Sequence, residues 1–200
     1  MTRILWDVDT QVDFVHADGK LAVPDAEAAV PAMARLVAWA RAEGIPHVAS
    51  ADDHELTDAE ISETPDFAST YPPHCLRGTR GAEKIAETEQ LDPVPFGLTD
   101  VPEQWLRGRE FLLLKKHFDV FTNPNAERLL VRLDPTEVVL FGVATDVCND
   151  AAIRGLLARG RTVTFVEDAS RGLDRARTAS CVAAWRERGV RVAQAEDVAV

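Results

Sequence analysis

Six short apolar runs, separated by segments of helical period, constrain this chain more than any other feature. The runs are Arg3 to Val8, Pro46 to Ser50, Glu110 to Lys115, Val138 to Val143, Thr162 to Val166 and Arg191 to Ala193. Between the first two, Asp25 to Ala42 places Ala29, Val30, Met33, Leu36, Val37 and Ala40 on one stripe and stops at Gly44. Asn125 to Leu133, Val147 to Arg159 and Arg175 to Arg188 show the same period, the last two closed by Gly160 and Gly189. Glycine just past such a stripe marks a helix end, because it enters the left-handed region without a Cβ clash. Strands joined through helices run parallel and are covered on both faces. The pattern therefore predicts an α/β fold with a mostly parallel sheet of about six strands. A chain of 200 residues fits one domain, 1–200, large enough to bury a core without disulfides or metals as staples.

Charge narrows the partners. A net charge of −11 argues against nucleic acid or an anionic membrane surface, both of which attract cations. The apolar runs are too short to span a bilayer. Trp6, Asp7 and Asp9 break the first run before it resembles a secretory leader. Cys75, Cys148 and Cys181 form a sparse, odd set with no CxxC spacing, so neither a disulfide framework nor a thiolate zinc site is indicated. The expectation is a cytoplasmic protein in a reducing compartment.

The chemistry gathers where strands are expected to end. Cys148 follows the run Val138 to Val143 by a short turn and opens a helical segment. A thiol there meets the positive end of a helix, which favours the thiolate, and it lies where open α/β sheets bind ligands. Asp9 and Asp13 follow the first strand, and alternation puts Asp7 and Asp9 on one face. Lys115 and Lys116 end the third strand, where one lysine can reach a neighbouring carboxylate and the other points away into solvent. Asp52 and His54 follow the second strand, and His74 lies in Tyr71-Pro72-Pro73-His74-Cys75. These three groups suit one divalent ion such as zinc, manganese or iron, with Glu60 or Glu63 as a possible fourth ligand. His16 and His47 read as ordinary isolated histidines, and Trp39 and Trp185 as packing. No glycine-rich nucleotide loop and no GxSxG elbow occurs in the chain.

Four segments, in order, resemble the isochorismatase-like cysteine hydrolases, and among them the nicotinamidases. They are Val8 to Phe14, Asp52 to His54, Tyr71 to Thr79 and Gly142 to Cys148, with Lys115 in the position of the family's lysine. The resemblance implies a three-layer α/β/α, Rossmann-like fold and acyl transfer at an amide carbon. It makes Cys148 the nucleophile, Asp9 the general base and acid, and Lys115 their cationic partner. It implies a cis peptide between Val143 and Ala144, with the Ala144 and Cys148 N–H groups forming an oxyanion hole. Asp52, His54 and His74 correspond to metal ligands, and Phe14 and Tyr71 to residues that sandwich a substrate ring. The implied partner is a small amide, and a homo-oligomer is expected. Another small amide or carbamoyl compound is the alternative substrate, and vinyl ether cleavage a more distant one. The resemblance does not align the segment 87–105 with any part of the family's pattern.

Overall fold

The computed structural model describes residues 2–199. The strands are β1 (Arg3–Val8), β2 (His47–Asp52), β3 (Val94–Phe96), β4 (Glu110–Lys115), β5 (Glu137–Val143), β6 (Thr162–Arg171) and β7 (Arg191–Ala193). All pair in parallel, in the order β3-β4-β2-β1-β5-β6-β7. The sheet thus has seven strands rather than about six, and it is wholly rather than mostly parallel. The additional strand, β3, is three residues long, carries Pro95 and lies at the sheet edge. A strand of that length shows no readable alternation, and proline is tolerated there because an edge strand leaves N–H positions unpaired. It also accounts for part of the segment 87–105.

Alternation along the central strands sorts the core into two layers. Ile4, Trp6, Val8, Val138, Leu140, Val163 and Phe165 face one side. There they meet Leu129 and Leu130 of α3 (Pro124–Leu133), Ile153 and Leu156 of α4 (Asp150–Ala158), and Trp185 of α5 (Arg175–Glu187). Leu5, Val139 and Phe141 face the other side, against Met33, Leu36, Val37 and Ala40 of α2 (Val30–Ala42). A four-residue stripe on α2 and a two-residue period on β1 and β5 therefore suffice to build three layers. The helix expected from Asp25 is a 3₁₀ turn, Ala26–Ala29, leading into α2.

The winding of the sheet fixes where a site can form. From β1 the chain crosses to β2 on one side, and later inserts β5 on the other. The connections leave in opposite directions at that boundary, so a crevice opens above the carboxyl ends of β1 and β5. Gly142 is required at this boundary: its φ is 126°, and a Cβ there would lie 2.0 Å from the Val8 carbonyl oxygen.

Candidate active site

Asp9 leaves β1 with a φ of 52°, in the left-handed region. Asn and Asp accept this conformation more readily than other non-glycine residues. The turn separates Asp9 from Asp7, against the expectation that the two share a face. Asp7 instead pairs with Lys84 at 2.9 Å and lies 3.7 Å from the His47 ring, with Thr10 donating to it at 2.9 Å. Asp9 turns toward β2, where Ser50 Oγ donates to its Oδ1 at 2.7 Å.

Register brings the lysine in. Lys115 is the cross-strand partner of Asp52, and its side chain is fully buried. Its Nζ lies 2.9 Å from Asp9 Oδ2, donates to Asp52 Oδ1, and sits 3.8 Å from Cys148 Sγ. Lys116 points to the opposite face, as alternation requires. It is not simply solvated, however: its Nζ pairs with Asp58 at 2.8 Å.

Cys148 lies in a π-helical turn, Thr145–Asn149, that widens into α4, rather than in an α-helix beginning near Val147. The Val147 and Asn149 N–H groups both donate to the Ala144 carbonyl at 3.1 Å, and Asn149 Nδ2 donates to the Gly142 carbonyl at 3.0 Å. The peptide between Val143 and Ala144 is cis. Such one-turn π segments occur most often at functional sites.

Burial governs the protonation of these groups. It pushes the Cys148 thiol well above its ordinary range, with Lys115 opposing and Asp9 reinforcing the rise. Against the expected helix-stabilised thiolate, desolvation of the charged form works toward the protonated thiol. Burial also raises the Asp9 carboxyl, partly offset by Lys115 and reinforced by Asp52. For Lys115, burial favours the neutral amine, but Asp52 and then Asp9 outweigh it and hold the ammonium charged. For Asp52, burial works upward, and Lys115 with the His74 and His54 rings brings the carboxyl below its usual range.

A second cluster adjoins the first through Asp52. One ligand atom each from Asp52, His54, Glu60 and His74 lies within 4.8 Å of all the others, and all four residues are buried. Nε2 of His74 is 3.5 Å and Nε2 of His54 3.8 Å from Asp52 Oδ2. His54 Nε2 is buried without a hydrogen-bond partner. The Nδ1 atoms are engaged on the outside, His74 with the Pro72 carbonyl at 2.7 Å and His54 with Asp58 at 3.2 Å. Two imidazoles with their outer nitrogens engaged and their inner ones facing buried carboxylates fit a divalent cation with mixed nitrogen and oxygen ligands. Of the two candidate fourth groups, Glu60 belongs to this cluster, whereas Glu63 is exposed and outside it. Burial raises the Glu60 carboxyl to about 7.

Above the two clusters lies a narrow pocket lined by Phe14, Tyr71, His74, Asp52, Glu60, Ala144 and Cys148, and walled by Leu21, Val23, Val147 and Leu173. Burial pushes the Tyr71 hydroxyl up to about 12. Asp13 is not in the lining. It accepts from the Cys75 N–H at 2.7 Å and the Lys20 N–H at 3.0 Å, stapling two loops together. Asp53 faces away and pairs with Arg77 at 2.5 Å.

Sequence reasoning assigned no role to several residues that shape the site. Gln11 brackets the Asp52 backbone, donating to its carbonyl at 2.8 Å and accepting from its N–H at 2.7 Å. Asp146 accepts from the Leu173 N–H at 2.8 Å and so ties that wall of the pocket to the cysteine turn. A buried polar residue inside a strand-to-loop motif was the available signal for Gln11; Leu21, Val23 and Leu173 carried none.

Among the described residues, no helix is long and apolar enough to cross a membrane. The isochorismatase domain matches residues 4–197. A nicotinamidase of Escherichia coli is 26% identical over 193 residues, covering 86% of this chain and 84% of that protein. A nicotinamidase/pyrazinamidase of Mycobacterium tuberculosis is 29% identical over 180 residues, covering 78% of this chain and 82% of that one. The pyrazinamidase of Pyrococcus horikoshii, solved in complex with zinc, superposes with a TM-score of 0.76 over 97% of this chain and 99% of its own. At 22% identity that likeness speaks for the fold alone. The match runs from the first strand to the last helix, and so the chain belongs to the isochorismatase domain family of hydrolases.

Proposed function

We propose that this protein is a cysteine-dependent amidohydrolase that converts nicotinamide and water to nicotinate and ammonia. The observation that carries the reading is the meeting of Asp9, Lys115 and Cys148 in one buried cluster, which opens to the pocket through Cys148 and adjoins Asp52, His54, Glu60 and His74.

In this mechanism the resting thiol is protonated. Asp9, whose carboxylate has gained proton affinity by burial, takes the thiol proton as Cys148 Sγ bonds to the amide carbon. The carbonyl oxygen becomes an oxyanion, held by the backbone N–H groups of Ala144 and Cys148. Asp9 returns the proton to the nitrogen, the C–N bond breaks and ammonia leaves a thioester. A water molecule loses a proton to Asp9 and attacks the thioester carbon. The C–S bond breaks, nicotinate departs and the thiolate recovers its proton. Lys115 holds the Asp9 carboxylate in place and balances the charge it shares with Asp52. Asp52, His54, Glu60 and His74 would hold the divalent ion, zinc, manganese or iron, which supplies a Lewis-acid anchor for the ring nitrogen of the substrate.

The lining favours an uncharged ring over a carboxylate-bearing carbamoyl compound. Its walls are Phe14, Leu21, Val23, Tyr71, Val147 and Leu173, and the adjacent Lys115 is already engaged by two carboxylates. A substrate carboxylate turned toward these walls would meet apolar side chains and lose its hydration without a compensating partner. Phe14 and Tyr71 supply the flat apolar contacts.

The test is ammonia release from nicotinamide by the purified protein, run beside a substrate with a carboxylate on the same ring. Release from nicotinamide alone supports the reading. No release from protein carrying a divalent metal rejects this substrate.

A further inference from the structure

Adjacent lysines at the end of β4 serve different halves of the site. Lys115 turns inward to Asp9 and Cys148, and Lys116, on the opposite face, reaches Asp58. Asp58 is engaged on three sides. Its Oδ2 accepts from Lys116 Nζ at 2.8 Å and the Glu55 N–H at 2.8 Å, and lies 3.2 Å from His54 Nδ1. That last contact places the ring proton on Nδ1 and leaves Nε2, buried and without another partner, as the free lone pair facing Asp52. His74 is held differently, by the neutral Pro72 carbonyl.

We propose that Asp58, held in place by Lys116, is a positioning residue that fixes the tautomer and ring orientation of His54 for metal binding. The inference rests on the reading of Asp52, His54, Glu60 and His74 as a metal site. A carboxylate behind an imidazole both orients the ring and strengthens it as a donor, and loss of such a partner weakens metal binding by roughly 10- to 100-fold. His54 is tied to its neighbouring loop by one isolated bridge to Leu76, whereas Lys115 is set by a six-pair ladder between β2 and β4, so an outer partner has more to contribute here. The neighbouring Lys116 also tempers the negative charge that Asp58 would otherwise add beside Asp52 and Glu60.

The experiment is a zinc titration of the whole protein against a chromophoric chelator, with melting temperature measured on the same samples. Asp58→Asn keeps an acceptor for the Glu55 N–H and the ring but loses the charge; it is expected to weaken zinc binding about tenfold, at a melting temperature close to wild type in the metal-free state. Asp58→Ala, which loses both, is expected to approach 100-fold. Lys116→Met leaves the carboxylate and removes its holder, so it should fall between wild type and Asp58→Asn. Zinc affinity within twofold of wild type in a folded Asp58→Asn, or in Lys116→Met and Asp58→Ala together, would overturn the proposal. A wild type that binds no zinc would overturn the metal site as well, which separates the two failures.

Discussion

The two halves of the pocket share Asp52 and are built by different means. Asp9, Lys115 and Cys148 stand at or just beyond the ends of β1, β4 and β5, where register sets positions: Val8 pairs with Ser50 and Asp52 with Lys115. His54, Glu60 and His74 hang on irregular chain between β2 and β3, fastened by the short bridges His54 to Leu76 and Ile61 to Tyr71. Strand ends locate a charge through the whole sheet. A loop must locate it through local partners, and here those are Gln11 behind Asp52, Asp58 behind His54 and the Pro72 carbonyl behind His74. Sites borne on strands hold their geometry more tightly than sites on loops. The strand-borne half should therefore respond to substitution mainly in chemistry and global stability, and the loop-borne half mainly in ligand affinity.

The largest effect belongs to the nucleophile. Cys148→Ala is expected to lower amide hydrolysis at least about 10³-fold, as removal of a covalent nucleophile does elsewhere, while leaving zinc affinity within about twofold. Measured ammonia release above a tenth of wild type would detach the chemistry from the strand-borne half. Next comes Lys115→Met. It leaves Asp9 and Asp52 buried and facing each other without their cation, and breaking a buried pair in this way costs about 3–5 kcal/mol. Urea denaturation of metal-free protein measures it. A loss below about 1 kcal/mol, the ceiling for an ordinary surface pair, would mean the ammonium does not hold the strand ends together.

The same contrast decided what could be read from the sequence. Apolar period and glycine stops located six strands and the major helices, because both are set by burial over many residues. Alternation then put Lys115 and Lys116 on opposite faces, and the family resemblance selected Lys115 as the inward one. β3 escaped because Val94, Pro95 and Phe96 are too few to display a period. The helix end beside Cys148 is visible in the sequence, whereas the burial that opposes its thiolate is not. Asp9 and Asp7 were placed together because a single left-handed residue, undetectable by composition, ends the alternation between them. In the loop, the order of motifs identified Asp52, His54 and His74, but nothing local distinguished Glu60 from Glu63. Leu21, Val23 and Leu173 were invisible for the same reason: they line the pocket from turns whose path depends on tertiary contacts such as Asp146 to Leu173.

Asp7 sharpens the comparison, since it shares β1 with the site but takes no part in it. Burial works to raise its carboxyl, and Lys84 and His47 outweigh burial and hold it below the ordinary value of 3.8. A carboxyl depressed in the folded state contributes stability above its unfolded pKa and loses it as pH falls through the folded one. The wild type should thus lose this contribution below about pH 4. Asp7→Asn leaves Lys84 buried and unpaired, so at pH 7 it should cost about 3 kcal/mol, and the gap to wild type should narrow as pH drops. Urea midpoints at pH 7 and pH 3 give both numbers. A gap that stays constant across that range would show that the Asp7 charge contributes nothing.

The smallest effects lie within the loop. Glu60 is buried with its Oε2 accepting from the Phe118 N–H at 2.8 Å, and it stands within 4.8 Å of the other three groups. Glu63, three residues on, is exposed and apart from them. Glu60→Gln keeps the Phe118 contact while removing a negative charge from the cluster, so zinc should bind at least about tenfold more weakly, the lower bound for losing even an outer partner. Glu63→Gln removes the same charge from the same loop but only from its solvent side. Screened by water and salt, it should change zinc affinity by less than about twofold. Equal weakening by both variants would mean that the loop's total charge, rather than the place of Glu60, draws the cation. The loop-borne half would then be a diffuse acidic surface rather than a built site. Unequal weakening, with only Glu60 mattering, would make the choice between two glutamates a matter of burial, which is the part of this site that no pattern in the sequence displays.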